Sequence, residues 1–231
     1  MTSLPDSRAS LWTYYDRRAP EYDGGVEGAY RYFRSLGVDV DIEALRAERR
    51  AVTHELARLR AGAFVDVGAG PGVFTDQIPG SGFAIDQSEN ALHRLQVKVG
   101  DVPAIRADAT ALPLRANAVL RLFAGHLYGH LEPLERATFL AEARRVADEL
   151  VILDSGLPPG ARSEEWQTRS LADGSTQRST SATSTSTCCW QKSVESRCLV
   201  AATSSLSGQS RNTGVTKPRA ISADPRSQMR S

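Results

Sequence analysis

The sequence predicts an α/β fold of the Rossmann-like, doubly wound class, in which helices cover both faces of a mostly parallel sheet. Five short apolar segments alternate with segments of helical periodicity, which is typical of strands joined by helical crossovers. The first apolar segment runs directly into glycines at positions 68, 70 and 72, and each of the first three segments ends on or beside an aspartate. A chain of 231 residues can also bury one sizeable core.

The five predicted strands are short and alternate with helices. They are residues 63–67 and the strings "GFAID", "PAIRAD", "AVLRLF" and "ELVILD". Residues 41–61 predict a helix that Asp41 caps and Gly62 ends, and "SENALHRLQ" and "PLERATFLAEARRVA" predict two more. The string "LWTYYDRRAPEYD" predicts a short helix ending before Pro20. We expect the arginines of "RAERR" and "EARRV" to lie on solvated helix faces.

The glycine-rich turn after the first strand is the main candidate for a ligand site. In a doubly wound sheet, ligands bind at the carboxyl ends of the strands, and glycine lets a ligand approach the backbone closely. Dinucleotide-binding proteins use such a turn too, but these glycines are spaced G-A-G-P-G rather than G-x-G-x-x-G. Asp66, two residues before the first glycine, would repel a pyrophosphate and attract an ammonium or sulfonium group. The predicted ligand is therefore at least partly cationic.

Aspartates also lie at the ends of the second and third predicted strands. Asp86 is placed to accept hydrogen bonds from both hydroxyls of a ribose, and Asp108 could accept one from an adenine amino group. Each aspartate alone could be a turn or cap residue. Together, three carboxylates on successive strand ends describe an adenosine joined to a cationic amino-acid arm.

At these residues the chain resembles the class I S-adenosylmethionine-dependent methyltransferases, over about residues 12–174. The resemblance is carried by "VDVGAGPG" (65–72), "AIDQSENAL" (84–92), "RADATALPL" (106–114), "GHLYGHLEPLERATFLAEARRV" (125–146) and the lead-in "YYDRRAPEYD" (14–23). It implies S-adenosylmethionine as the cofactor, with the methionyl part at Asp66 and the glycine turn, the ribose at Asp86, and the adenine at Asp108 and the Ala109 backbone. The cofactor-binding residues predicted in this way are Tyr22, Asp66, Gly68, Ala69, Gly70, Asp86, Gln87, Asp108, Ala109 and Phe123.

The resemblance also implies a lid and an acceptor side. The lead-in, with Tyr15 and Tyr22, would cover the cofactor. A sulfonium is an activated methyl donor with a neutral leaving group, so the protein mainly aligns the acceptor and excludes water, and a general base helps only a protonated acceptor. The candidate catalytic residues are His126, Tyr128 and His130, just after the fourth strand. A histidine near a helix start is more often a cap or a satisfied surface group than a catalytic residue.

Charge and composition argue against several other classes. Before Ser175 the chain has 20 basic and 25 acidic residues, and no basic strip or NPPY-like motif indicates nucleic acid as a partner. No apolar run has the length of a membrane span and no signal peptide is recognisable, so we expect a cytoplasmic protein. The three cysteines lack metal-ligand spacing, and no metal site is predicted. The expected partner is a small-molecule methyl acceptor, and the sequence does not indicate an oligomeric state.

The predicted organisation is a helical lead-in or lid at 1–62, the cofactor-binding α/β core at 63–174, and a tail at 175–231. About two in five tail residues are Ser or Thr, and the tail has 8 basic and 2 acidic residues. One interpretation is a disordered appendage. The family usually completes its sheet with an antiparallel hairpin after the fifth strand. Nothing beyond "ELVILD" predicts one, so the C-terminal strands are expected to be missing.

A change of reading frame is the second interpretation of the tail. When the codons of "CCWQK" (188–192) are read one base earlier, every synonymous choice gives Leu, Met or Val, then Leu, Leu and Ala, then Glu or Lys. That string favours a helix. We therefore hypothesise that the frame changes between Gly174 and Arg178 and that the tail is out-of-frame translation.

Two functions stay open at this point. One is a methyltransferase with a small-molecule acceptor, and the other is a nucleotide-binding or regulatory protein without catalysis. A nicotinamide oxidoreductase is disfavoured by Asp66 and by the glycine spacing.

Overall fold

The computed structural model describes residues 7–22, 24–35, 39–156, 166–170, 176–180, 184–191 and 203–204. The helices of this part of the chain are α1 (Ser7–Tyr22), α2 (Gly25–Ser35), α3 (Ile42–Ala57), α4 (Glu89–Val99) and α5 (Pro133–Val146). Short 3-10 helices at Thr75–Gln77 and Tyr128–His130 follow β1 and β4. The strands are β1 (Gly62–Val67), β2 (Gly80–Asp86), β3 (Ala104–Arg106), β4 (Val119–Gly125), β5 (Ala147–Gly156), β6 (Trp166–Ser170), β7 (Thr176–Thr180), β8 (Ser184–Gln191) and β9 (Thr203–Ser204).

The main sheet has the strand order β3-β2-β1-β4-β5-β8-β9, and neighbours among β1 to β5 are parallel. The chain goes from β1 outward to β2 and β3, and then returns to β4 on the other side of β1. Where the order reverses in this way, the connections leave a crevice at the carboxyl ends of the strands. The predicted doubly wound fold is confirmed for these five strands, and the glycine turn after β1 lies at the crevice.

Apolar side chains cover both faces of the sheet. On one face, strand residues pack against Phe139 of α5. On the other face, Leu56 of α3 packs with Phe123 of β4, and Leu92 of α4 forms a smaller cluster. Side chains alternate along a strand, so Leu122 and Phe123 enter clusters on opposite faces. Although α3 lies within the predicted 1–62 lead-in, it is part of this core.

Two of the predicted helix caps are confirmed. Asp41 accepts a hydrogen bond from the amide of Glu43 at 2.9 Å, and α3 begins at the next residue. Ser88 Oγ accepts one from the amide of Ala91 at 3.0 Å and caps α4 in the same way. Both caps satisfy amides that have no partner inside the helix.

Helix α1 differs from the prediction, because it continues through Pro20 to Tyr22. Proline has no N–H, so Pro20 cannot donate to the carbonyl of Asp16, four residues earlier. That carbonyl instead accepts a hydrogen bond from Asn90 Nδ2 of α4 at 3.0 Å. A tertiary contact thus replaces the missing helical hydrogen bond, and the helix is not interrupted.

The region after β5 differs from the expectation of missing strands. β6 and β7 pair as an antiparallel hairpin, and the predicted domain boundary at 174/175 falls between them. β8 pairs antiparallel with β5, with Cys188 opposite Ile152, and occupies the sheet position expected to be empty. Alternating Ser and Thr residues suit an extended strand, and β5 offers backbone groups that need partners. Most of the remaining tail, including Cys198, lies outside the described residues.

No helix in the described ranges has the length and apolar character needed to cross a bilayer.

Candidate cofactor site

The glycine turn after β1 is held against the end of β2. The amides of Gly68 and Ala69 both donate to the carbonyl of Ile85, at 2.8 and 3.1 Å. The φ angles of Gly68 and Gly70 are +71° and +55°, a region that L side chains rarely adopt. A Cβ on Gly70 would meet nothing within 4 Å. The turn therefore leaves open space beside its backbone, as close approach of a ligand requires.

Asp86, the last residue of β2, ties this turn to the start of α4. Its Oδ2 accepts from the amide of Gly70 at 2.9 Å, and its Oδ1 accepts from the amide of Ser88 at 2.8 Å. Burial raises the pKa of Asp86, the backbone hydrogen bonds lower it, and the charge of Asp16 raises it. A carboxylate oxygen can accept more than one hydrogen bond, so Asp86 can also accept from ribose hydroxyls. Such donors would stabilise its ionised form.

Asp66 lies deeper than Asp86 and is 2% exposed. Its Oδ2 accepts a hydrogen bond from the Thr75 hydroxyl at 2.7 Å. Burial raises the pKa of Asp66 to about 7, the Thr75 hydrogen bond lowers it, and the charge of Asp86 raises it. A carboxylate in this position acts on a cationic ligand mainly through its charge. Its assignment to the methionyl part stays a prediction.

The segment after β3 places Asp108 and Ala109 next to the end of β2. The amide of Ala107 donates to the carbonyl of Asp86 at 3.1 Å. Asp108 Oδ1 accepts from the amide and the hydroxyl of Thr110, at 2.8 and 2.7 Å. Asp108 is thus a turn-capping residue, as one interpretation had it. The same turn follows the backbone hydrogen bond between Ala107 and Asp86, and the assignment of Asp108 to the adenine stays a prediction.

An arginine and a glutamate of α5 hold the loop that continues from Asp108. Arg145 donates from Nη2 to the carbonyl of Leu112 at 3.0 Å, and from Nη1 to the carbonyl of Leu114. Glu142 accepts from Arg145 Nε at 2.7 Å and from the amide of Leu112 at 2.8 Å. The expectation of a solvated face is therefore wrong for Arg145. Its spacing of three from Glu142 was the only local signal, and it does not indicate the loop contacts.

Three further residues predicted to contact the cofactor lie in three different surroundings. Phe123 is fully buried and meets the Phe74 ring at 5.8 Å, so its side chain belongs to the core on the α3 face. Only the backbone of Phe123 could face a ligand, which corrects the prediction for the side chain. Gln87 is half-buried and its carbonyl accepts from Arg106 Nε at 3.0 Å. Tyr22 is half-buried at the end of α1.

The candidate catalytic residues after β4 differ in their surroundings. His126 is exposed, has a φ of +56°, and donates its amide to the carbonyl of Leu153 at 2.6 Å. His130 is half-buried and its ring meets Tyr15 of α1 edge to face at 5.6 Å. Both histidines therefore lie at the carboxyl end of the sheet.

Tyr128 points toward α5 instead. Its ring lies 6.4 Å from Phe139 and 5.0 Å from the guanidinium carbon of Arg136. Tyr128 also packs at the edge of the core on the α5 face. The structure thus gives Tyr128 a packing position, apart from His126.

The assembled residues fit S-adenosylmethionine. Asp86 and Asp108 are hydrogen-bond acceptors on neighbouring strand ends, and Gly70 leaves room for a ligand at the backbone. Asp66 and Asp86 lie on neighbouring strands, where their ionised carboxylates would favour a cationic ligand. Within the described ranges, no group of three His, Cys, Asp or Glu side chains could hold a metal ion.

Solved structures share this fold. DhpI, in a complex described as DhpI-SAM-HEP, is 19% identical, with 78% of this chain and 84% of DhpI covered and a TM-score of 0.57. The DhpI-SAH complex is 21% identical, with 75% and 79% covered and a TM-score of 0.50. Phosphoethanolamine N-methyltransferase 1 of Haemonchus contortus, in complex with phosphoethanolamine and S-adenosylhomocysteine, is 20% identical, with 73% and 42% covered and a TM-score of 0.51. At these identities the likeness shows a shared fold.

A comparison with curated protein sequences found no match. A family model described as "Methyltransferase domain" matches residues 65–150, from β1 through α5 into β5. That range contains the glycine turn and all three aspartates predicted to bind the cofactor. Residues 65–150 therefore match a methyltransferase domain, and the fold that contains them is shared with the DhpI structures.

Proposed function

We propose that this chain transfers the methyl group of S-adenosylmethionine to a small-molecule acceptor. The observation that carries the proposal is Asp86, whose two oxygens join the glycine turn to the start of α4 at the carboxyl end of β2. The methyltransferase domain supports the type of reaction. The small molecules in the complexes of the structural neighbours support the class of acceptor.

The chain's own residues would bind and orient the cofactor. Asp86 would accept from the ribose hydroxyls, Asp108 from the adenine amino group, and the turn at Gly70 would receive the methionyl arm. When bound, the cofactor supplies a methyl group on a positively charged sulfur, which leaves as a neutral thioether. The protein then has to align the acceptor and keep water away.

The acceptor side is best placed at the loop after β4. His126 is exposed there, so its imidazole could take a proton from an acceptor that arrives protonated. His130 lies beneath α1 through its contact with Tyr15. We assign His126 as the candidate general base, His130 to the acceptor wall, and Tyr128 to packing against α5.

A methyl-transfer assay tests this function. The full chain would be incubated with S-adenosylmethionine carrying a labelled methyl group and a panel of small molecules that includes phosphoethanolamine and other amino alcohols. We expect labelled product from at least one acceptor, strong loss with Asp86→Ala, and no loss with Asp101→Ala, an exposed aspartate outside the site. Cofactor binding without labelled product from any acceptor would contradict the proposal and favour the second candidate.

The second candidate is a cofactor-binding protein without turnover, and the composition of the tail favours it. β8 pairs with β5. Its residues Cys188 and Cys189 belong to the stretch whose codons, read one base earlier, encode apolar residues, as a frame change would explain. Sequencing the coding DNA from codon 165 through the stop tests this candidate. If a one-base shift restores an apolar helix and strands, this chain is a damaged copy. Stops or a lack of apolar patterning in that frame would contradict the frame change.

A further inference from the structure

Helix α1 lies across the carboxyl ends of several strands. The guanidinium carbon of Arg106, at the end of β3, lies 5.2 Å from the Trp12 ring. Tyr15 meets His130, after β4. Between these contacts, Asp16 reaches the start of α4, after β2. The helix thus spans the edge of the sheet where the cofactor site lies.

Three hydrogen bonds join Asp16 of α1 to the start of α4. Its Oδ1 accepts from Ser88 Oγ at 2.7 Å and from the amide of Asn90 at 3.0 Å. Its carbonyl, which Pro20 leaves without a helical donor, accepts from Asn90 Nδ2 at 3.0 Å. A negative charge at a helix N-terminus is favourable, so the side chain of Asp16 suits the start of α4.

These contacts continue into the cofactor site. Ser88, which donates its hydroxyl to Asp16, also donates its amide to Asp86 Oδ1. Asp86 Oδ2 in turn accepts from the amide of Gly70. One chain of hydrogen bonds therefore runs from α1 through Ser88 and Asp86 to the glycine turn.

Charge also couples the two aspartates. Asp16 and Asp86 carry like charges on either side of Ser88, and the charge of Asp16 contributes to the raised pKa of Asp86. A cationic cofactor, or hydroxyl donors to Asp86, would relieve this repulsion. With such a ligand bound, the hydrogen bonds of Asp16 to Ser88 and Asn90 would be opposed by less repulsion.

We propose that Asp16 is a positioning residue that latches α1 over the bound cofactor, and that the Asp16–Ser88–Asp86 contacts couple closure of this helix to cofactor binding. The inference rests on the proposed function, because it requires the ligand to bind at Asp86. It adds a role for a residue whose hydrogen bonds are to Ser88 and Asn90 of the α4 start. Asp16 acts on the cofactor through Ser88 and Asp86, and its main effect is on the rate at which the cofactor leaves.

Stopped-flow binding of S-adenosylmethionine to the full chain tests the latch. We expect Asp16→Ala to raise the dissociation rate by about tenfold or more, as the loss of hydrogen bonds to a charged group implies, with little change in the association rate. Asp16→Asn keeps an oxygen that accepts from Ser88 and Asn90, and should restore much of the slow release. Asp101→Ala is the matched control and should behave as the unchanged protein.

Asn90→Ala keeps the test decisive if Asp16→Ala folds poorly, and a double variant tests whether Ser88 belongs to the same chain of contacts. Asn90→Ala weakens the latch from the α4 side and should raise the dissociation rate by about threefold. Ser88→Ala combined with Asp16→Ala should be no faster than the faster single variant, since both break one chain of contacts. Unchanged dissociation in folded Asp16 and Asn90 variants would overturn the latch while leaving the proposed function intact. Failure of the unchanged protein to bind S-adenosylmethionine would overturn both.

Discussion

The buried carboxylate of Asp66 accepts a hydrogen bond from the Thr75 hydroxyl at 2.7 Å, one strand away from the carboxylate of Asp86. Burial and the neighbouring charge hold the pKa of Asp66 at about 7, although the Thr75 hydrogen bond lowers it. Asp66 therefore changes charge near neutral pH, beside a site that we assign to a cationic cofactor. Its titration links pH both to folding stability and to cofactor binding.

The first prediction concerns pH. The folded-state pKa of Asp66 is raised above the unfolded value of 3.8. Between about pH 4 and 7 the folded state thus holds a proton that the unfolded state has lost, so the contribution of Asp66 to stability falls as pH rises through this window and is level above it. Denaturant unfolding of the ligand-free chain should show this fall, and Asp66→Asn should remove it.

The same titration acts on cofactor affinity with the opposite sign. A sulfonium favours ionised Asp66, so binding of S-adenosylmethionine should release a proton and strengthen as pH rises from about 5 to 7. S-adenosylhomocysteine lacks the sulfonium charge and should show a smaller rise. A pH-independent affinity in the unchanged protein, or the same slope in Asp66→Asn, would contradict this assignment.

The second prediction compares two glycines in one turn. Gly70 and Gly72 both have positive φ, so alanine at either should cost about 1 to 2 kcal/mol of strain. A Cβ on Gly70 would enter open space, whereas a Cβ on Gly72 would lie 2.8 Å from Val99 Cγ2. We expect Gly72→Ala to be the less stable variant and Gly70→Ala to lose more cofactor affinity. The reverse order, by thermal unfolding and calorimetry, would place the ligand elsewhere.

The third prediction concerns the clamp of Arg145 on the loop after Asp108. Arg145→Met should release the carbonyls of Leu112 and Leu114 and weaken cofactor binding by about tenfold, because Asp108 loses its fixed position. The specific readout is the ratio of affinities for S-adenosylhomocysteine and S-inosylhomocysteine, which lacks the adenine amino group. This ratio should fall in Arg145→Met and stay unchanged in Arg144→Met, its exposed neighbour. A ratio that does not change would mean a purely structural role for Arg145.

The fourth prediction concerns an ion pair in the first half of β4 and β5. Arg121 is 1% exposed and donates to Glu149 Oε2 at 2.7 Å. Glu149→Ala leaves this arginine buried without its counter-charge and should cost about 3 to 5 kcal/mol of unfolding free energy. The double variant Arg121→Met with Glu149→Ala should recover much of that loss. Cofactor affinity should not change in the folded variants, because the pair lies away from the carboxyl ends of the strands.

The sequence predicts the parts of this molecule that depend on local patterns. The five parallel strands follow from apolar periodicity, and the caps at Asp41 and Ser88 follow from polar residues before periodic segments. The candidate site is predicted by the glycines and Asp66 at the end of the first strand and by Asp86 at the end of the second. Each of these signals lies within a few residues of the feature that it predicts.

The remaining features depend on contacts between distant residues. Asp16 meets Ser88 and Asn90 across more than seventy positions, and Arg145 meets Leu112 across 33. No propensity rule contains such pairs. The prediction that α1 ends before Pro20 is wrong for the same reason. The carbonyl of Asp16, which Pro20 leaves without a helical donor, accepts a hydrogen bond from Asn90 of α4.

Isothermal titration of S-adenosylmethionine into the unchanged chain and into Asp86→Ala tests the central claim most directly, with NAD as the competing ligand. We expect one site for S-adenosylmethionine, a loss of affinity of about a hundredfold or more with Asp86→Ala, and no binding of NAD. Equal affinity in both proteins, or binding of NAD in preference to S-adenosylmethionine, would contradict that claim.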